Sequence, residues 1–259
     1  MAYIALNSVR KIYGGRQGPV EAVSNASFTV DAGEFVSILG PSGCGKSTVL
    51  MMLAGLEKPT SGSIVIDGSP MTSPRRDVGL IFQDATLLPW QSVLDNVLFP
   101  VRIMKRDMAA HRERALELLE MVGLKDFRDH RPAQLSGGMR QRAAICRALI
   151  HDPHLLLMDE PFSALDAITR DEMNLVLLDI WQKYHKTGIF ITHSIREAVM
   201  LSDRVLVMTR RPSTVVCDVV IPFARPRDPE LGETTEFNAI CRTLRQQIES
   251  GHRQEREVA

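Results

Sequence analysis

The chain has 259 residues, 44% of them hydrophobic, which is enough to bury a full α/β core; 31 Lys plus Arg against 31 Asp plus Glu leave no net charge. That balance argues against a general nucleic-acid binder, and no nucleic-acid partner is expected. No apolar run approaches the roughly twenty residues that cross a bilayer, no signal-peptide pattern opens the chain, and Cys44, Cys146, Cys217 and Cys241 have neither metal spacing nor a disulfide framework, so a soluble, cytoplasmic protein is predicted.

In chain order, strand patterns over Ile4 to Val9, Ser27 to Val30 and Phe35 to Leu39 lead into Gly40-Pro41-Ser42-Gly43-Cys44-Gly45-Lys46-Ser47-Thr48. This fits G-x-x-x-x-G-K-[ST] in its required context, a strand before and a helix after. Glycines let backbone N–H groups wrap phosphates, and the helix starting near Gly45 adds its positive end. Lys46 is expected on the β- and γ-phosphates, and the Ser47 hydroxyl on Mg²⁺, a hard cation that prefers oxygen. A thiol so close to a helix N-terminus and Lys46 is expected to have a lowered pKa, which makes Cys44 a candidate reactive cysteine.

Strand patterns at Ser63 to Ile66 and Val78 to Phe82 follow, the second closed by Gln83, which could reach Mg²⁺ or the attacking water, although by itself it reads equally as a surface glutamine. From about 84 to 150 the signals turn helical. Ala115, Leu118, Leu119 and Val122 share one face, and Gly123 is a natural stop. Within this stretch Ser136-Gly137-Gly138 opens a helix with a hydroxyl cap and small residues, a second anion site.

The apolar run Leu155 to Met158 reads as a buried strand ending in Asp159-Glu160. Neighbouring strand residues point to opposite sides, so the two acids take different roles: Asp159 on the metal, Glu160 on the water. A helix is expected from about Ala167 to Tyr184. A strand over Gly188 to Thr192 then delivers His193, able to donate toward a γ-phosphate. A strand over Arg204 to Met208 closes the pattern. Pro222, Pro226 and Pro229 mark a linker, and Phe237, Ile240, Leu244 and Ile248 form an apolar stripe expected to pack on the protein's own core, with a mobile charged tail after Gly251.

The phosphate loop, Gln83, Leu135-Ser136-Gly137-Gly138, Asp159-Glu160, Ser163-Ala164-Leu165-Asp166 and His193 occur in the order of the ABC ATPases, which the chain resembles over about residues 1–220. Leu87-Leu88-Pro89-Trp90 with Val93-Leu94-Asp95-Asn96-Val97 is similar to the ATPase subunits of nitrate, sulfonate and taurine importers. The resemblance implies a P-loop NTPase (RecA-like) α/β core with an N-terminal antiparallel β subdomain and an inserted helical subdomain, followed by a C-terminal segment over 221–259. It implies adenine stacking on Tyr13, although a tyrosine before Gly14-Gly15 also fits a strand end, and it adds Asp166 to the ATP site. It further implies ATP with Mg²⁺, and a homodimer in which each ATP lies between the phosphate loop of one copy and the Leu-Ser-Gly-Gly helix of the other. Permease partners, indirectly an external solute-binding protein, and a peripheral location on the cytoplasmic membrane face follow from the same likeness.

Met139 departs from the glutamine that many members carry after the two glycines. An exporter ATPase is the nearest alternative. DNA-repair ATPases need a long heptad insertion and translation-associated proteins need duplicated motifs, and the chain has neither.

Overall fold

The computed structural model describes residues 2–15 and 18–258, with side chains described through Glu249. Its strands are β1 (Ile4–Tyr13), β2 (Val20–Val30), β3 (Phe35–Leu39), β4 (Ser61–Ile66), β5 (Ser69–Pro70), β6 (Val78–Ile81), β7 (Leu155–Asp159), β8 (Thr187–Ile191), β9 (Arg204–Met208) and β10 (Ser213–Val220). The helices are α1 (Lys46–Leu53), α2 (Val93–Ile103), α3 (Met108–Met121), α4 (Gly137–Leu149), α5 (Ala167–Tyr184), α6 (Ile195–Leu201) and α7 (Thr235–Val258).

Among the described residues the strands join in the order β5-β4-β1-β2-β10-β9-β3-β8-β7-β6. β1, β2, β4 and β5 are antiparallel. β9, β3, β8, β7 and β6 run parallel. In β3 and β8 every residue is buried, as strands covered on both faces must be.

Helices cover those two faces. α1 contributes Val49 and Leu50 to a core shared with the antiparallel strands, whereas α2, α3, α4 and α5 build a second core on the other side. Each helix from α2 to α6 starts on a side chain that accepts a backbone N–H: Ser92, Asp107, Ser136, Asp166 and Ser194.

Several boundaries differ from the sequence pattern. β2 begins at Val20 rather than Ser27, because pairing with β1 from Tyr13↔Val20 onward holds a stretch whose polar Glu21, Ser24 and Asn25 break the alternation. β6 ends at Ile81, so Phe82 and Gln83 already belong to a loop, and the helical region begins only at Val93. β10, unforeseen, joins the halves of the sheet: parallel to β2 at Ser213↔Val23, antiparallel to β9. The apolar stripe of α7 packs on the protein's own core, with Phe237 and Leu244 buried against β9 and α6 residues. The tail expected after Gly251 lies outside the described side chains.

Around α5 the packing leaves no slack. The Trp181 ring meets Phe35 edge-on with centroids 4.6 Å apart, and a Cβ on Gly188 would come within 2.9 Å of the indole. Gly188→Ala is expected to destabilise the chain by about 1–3 kcal/mol through overpacking. That is roughly 2–4 °C in Tm per kcal/mol for a protein of this size. Thermal unfolding tests it, and an unchanged Tm would mean that the indole yields freely.

Candidate nucleotide site

β3 ends at the edge of the sheet and the chain turns through Gly40 to Gly45 into α1. Gly45 occupies φ 115°, and any Cβ there would lie 2.8 Å from the Ala22 carbonyl oxygen of β2, so only glycine fits. No side chain caps α1, which leaves its opening amides available to an anion. Lys46 folds back under the loop: its Nζ donates to the carbonyls of Gly40 at 2.9 Å and Pro41 at 3.0 Å, and the residue is only 4% exposed.

The two adjacent acids separate, Asp159 as the last residue of β7 and Glu160 in the turn just past it. Asp159 Oδ1 accepts from the Ser47 hydroxyl at 3.0 Å. Glu160 Oε1 lies 3.7 Å from Lys46 Nζ, while its Oε2 accepts from His193 Nδ1 at 2.9 Å. Glu160 sits at φ 43°, a left-handed conformation unusual for a non-glycine residue, and it is held there by three bonds. Its N–H donates to Ile191 O at 2.9 Å, and its carbonyl accepts from the amide and hydroxyl of Ser163. Burial raises the Asp159 pKa, opposed by the Ser47 hydrogen bond.

Lys46, Ser47, Asp159, Glu160 and His193 thus form one contiguous cluster. Beyond the phosphate loop, whose Gly40 and Pro41 carbonyls accept from Lys46, the other expected site residues stand outside its hydrogen bonds. Gln83 is exposed just past β6, its loop held by Gln141 Nε2 donating to Phe82 O at 3.1 Å. Ser136 caps α4 by accepting from Met139 N at 3.2 Å. Gly137 follows in the first turn, and Gly138 lies so close to α5 that a Cβ would be 2.5 Å from Thr169 Cγ2. Asp166 caps α5, bonding Thr169 through both its amide and hydroxyl. Tyr13, 36% exposed at the end of β1, has Lys11 Nζ 4.8 Å from its ring centroid.

One expectation is corrected. Cys44 is buried and its thiol pKa is raised, because desolvation outweighs the attraction of Lys46, so it is not an activated nucleophile. Gln141, Arg170 and Glu197 are buried or half-buried contacts that sequence reasoning missed. Glu197 had a local signal, since Ser194 three residues before it forms the start of a helix that the pattern had overlooked.

A strand, a phosphate-wrapping loop, a lysine beneath it and two adjacent acids at the end of β7, one strand beyond β8, define a P-loop nucleotide-binding cassette. The family model for ABC transporters matches residues 23–163. The taurine import ATP-binding protein TauB of Burkholderia thailandensis is 45% identical over 225 residues, covering 87% of this chain and 86% of that protein. The nitrate import ATP-binding protein NrtD of Synechococcus elongatus is 42% identical, covering 88% and 84%. The aliphatic sulfonates import ATP-binding protein SsuB of Bacillus cereus is 39% identical, covering 96% of both. Among solved structures, the dimeric post-hydrolysis state of the cassette MJ0796 bound to ADP and Pi matches with a TM-score of 0.75 at 34% identity, covering 85% of this chain and all of that one. The chain belongs to the ABC transporter family, as an ATP-hydrolysing cassette.

The half-buried Asp159 carboxylate has a measurable consequence. Because its folded pKa is raised, Asp159 favours the fold fully below the ordinary aspartate value near 3.9 and loses that contribution as pH rises through the folded value. Asp159→Asn removes the ionisation and leaves an acceptor for Ser47. In nucleotide-free protein its Tm is expected to exceed wild type at pH 8, with the gap shrinking as pH falls toward the ordinary aspartate value near 3.9. A gap independent of pH would overturn the assignment.

Proposed function

We propose that this chain is the ATP-hydrolysing subunit of an ABC importer for a small solute of the kind named for its relatives: taurine, nitrate or an aliphatic sulfonate. The observation that carries the catalytic part is the convergence of Lys46, Ser47, Asp159, Glu160 and His193 on one loop. The relatives' names carry the transport part. The solute itself would be recognised by a permease and an external binding protein.

The donor set suits Mg²⁺. Ser47 and Asp159 present two oxygens in hydrogen-bond contact, and among the described residues no cluster of three His, Cys, Asp or Glu is built to cage a metal. A cation held by one or two protein oxygens together with substrate phosphates fits that sparseness. When bound, it would neutralise charge on the β- and γ-phosphate oxygens.

Lys46 binds the phosphates from beneath the loop, and Gln83 completes the water and metal positions from its exposed loop. Glu160 accepts the proton of the attacking water as the bridging bond between the β- and γ-phosphates breaks, releasing ADP and phosphate. His193 orients Glu160 through Nδ1 and presents its other ring nitrogen to the γ-phosphate. Tyr13 stacks on the adenine. Ser136, Gly137 and Gly138 serve the ATP held by a second copy, and Asp166 lies beside that shared boundary. ATP closes the homodimer and hydrolysis opens it.

The permease is expected at the loop before α2. Asn96, fully buried, accepts from Leu88 N at 2.6 Å and donates to the carbonyls of Leu88, Gln91 and Ser92. That brace presents Trp90, 69% exposed, two steps along the chain from Leu88 and close to Gln83 in sequence. Among the described residues no helix is long and apolar enough to cross a membrane, so a permease on the cytoplasmic face would supply the anchorage.

Two variants separate the parts. Glu160→Gln is expected to lose about a hundredfold to ten-thousandfold in turnover while retaining ATP and showing a longer-lived dimer in chromatography; rapid hydrolysis would sink the assignment. Trp90→Asp is expected to leave hydrolysis by the free subunit unchanged and to reduce association with permease-containing membranes. Equal loss of both would place Trp90 in internal packing instead.

A further inference from the structure

Glu197, on α6, is a carboxylate only 6% exposed that touches none of the groups assigned to the nucleotide. Its Oε2 accepts from the Thr192 hydroxyl at 2.6 Å, and that hydroxyl in turn accepts from Ser194 N at 3.0 Å, so one acid holds the turn on both sides of His193. Its Oε1 lies 3.6 Å from Arg170 Nε. From α5, Arg170 reaches back to the segment after Glu160: Nη2 donates to Leu165 O at 2.8 Å and Nε to Phe162 O at 3.4 Å.

These contacts close a ring. It runs from Glu160 along the chain to Leu165, across Arg170 and Glu197 to Thr192, and through His193 Nδ1 back to Glu160. An ion pair with only one partner buried is a poor source of stability, since apolar residues of similar volume often serve as well, so its presence here calls for another reason. The planar guanidinium fork spanning two carbonyls and a carboxylate fixes orientation in a way that a flexible ammonium does not.

We propose that Glu197 and Arg170 are positioning residues that lock the His193 turn to the Glu160–Asp166 segment, so that the two catalytic side chains keep their alignment and move as one body. The proposal rests on the reading of Glu160 and His193 as catalytic. Neither Glu197 nor Arg170 touches the nucleotide; both act through the backbone they hold.

The test compares Glu197→Gln, isosteric and still able to accept from Thr192, with Arg170→Lys, which keeps the charge and loses the fork. Each is expected to lower kcat about tenfold, while KM for ATP, affinity for a fluorescent ATP analogue and Tm stay near wild type. The double variant is expected to lose no more than the worse single variant, because both break the same link. Wild-type kcat in Glu197→Gln, fully additive losses, or a fall in ATP affinity and Tm matching the fall in kcat would each overturn the proposal. If Glu160→Gln hydrolyses ATP rapidly, the catalytic reading itself fails. If that variant is inactive while Glu197→Gln turns over normally, only the positioning role fails.

Discussion

An ammonium withdrawn from water organises the nucleotide end of this sheet. Lys46 has three N–H donors and almost no solvent, and two of its acceptors are the carbonyls of Gly40 and Pro41. The loop must therefore curl so that early carbonyls face the lysine while later amides face outward. That curl brings Gly45 against the Ala22 carbonyl of β2, where no side chain fits. Glu160 supplies the counter-charge in the remaining direction, and reaching it requires the left-handed turn after β7. Strain in two loops thus traces to one charge that has to be matched.

The same compactness governs the carboxylates. Asp159 and Glu160 are sequence neighbours with like charges, and the left-handed turn at Glu160 just past β7 gives them different partners, Ser47 on one side and His193 with Lys46 on the other. Burial makes Asp159 reluctant to ionise without a cation to face, and the Ser47 hydroxyl only partly offsets that. A site that is uncomfortable without its ligand gains from binding one, which suits an ATPase that must distinguish its loaded and empty states.

Much of this was legible in the sequence because local chemistry fixed it. The phosphate loop, the buried strand leading to two acids and the Ser136 cap of α4 each carry their requirement in adjacent residues, and they appear where the pattern placed them. What escaped was non-local. β10 has an ordinary alternating pattern, and its role in joining two half-sheets depends on β2 and β9. The early half of β2 reads as polar and is made a strand by its partner. Cys44 shows the converse error: proximity to a lysine and a helix end suggested an activated thiol, yet packing under the loop desolvates it. Glu197 and Arg170 follow His193 and Asp166 by only one helical turn, yet they acquire meaning only when α5 and α6 are seen side by side.

The arrangement also bears on the proposed homodimer. α1 packs with the antiparallel strands on one face of the sheet, and α4 packs with α2, α3 and α5 on the other. The two helix N-termini suited to phosphate therefore belong to opposite layers of the same molecule, and no hydrogen bond links them among the described residues. In the proposed homodimer the loop before α1 of one copy and the start of α4 of the other would meet at the same ATP. The start of α4 is already registered against the Asp166 cap of α5 through Gly138 and Thr169, so a partner's ATP pressing on Ser136 would reach the segment that carries Glu160.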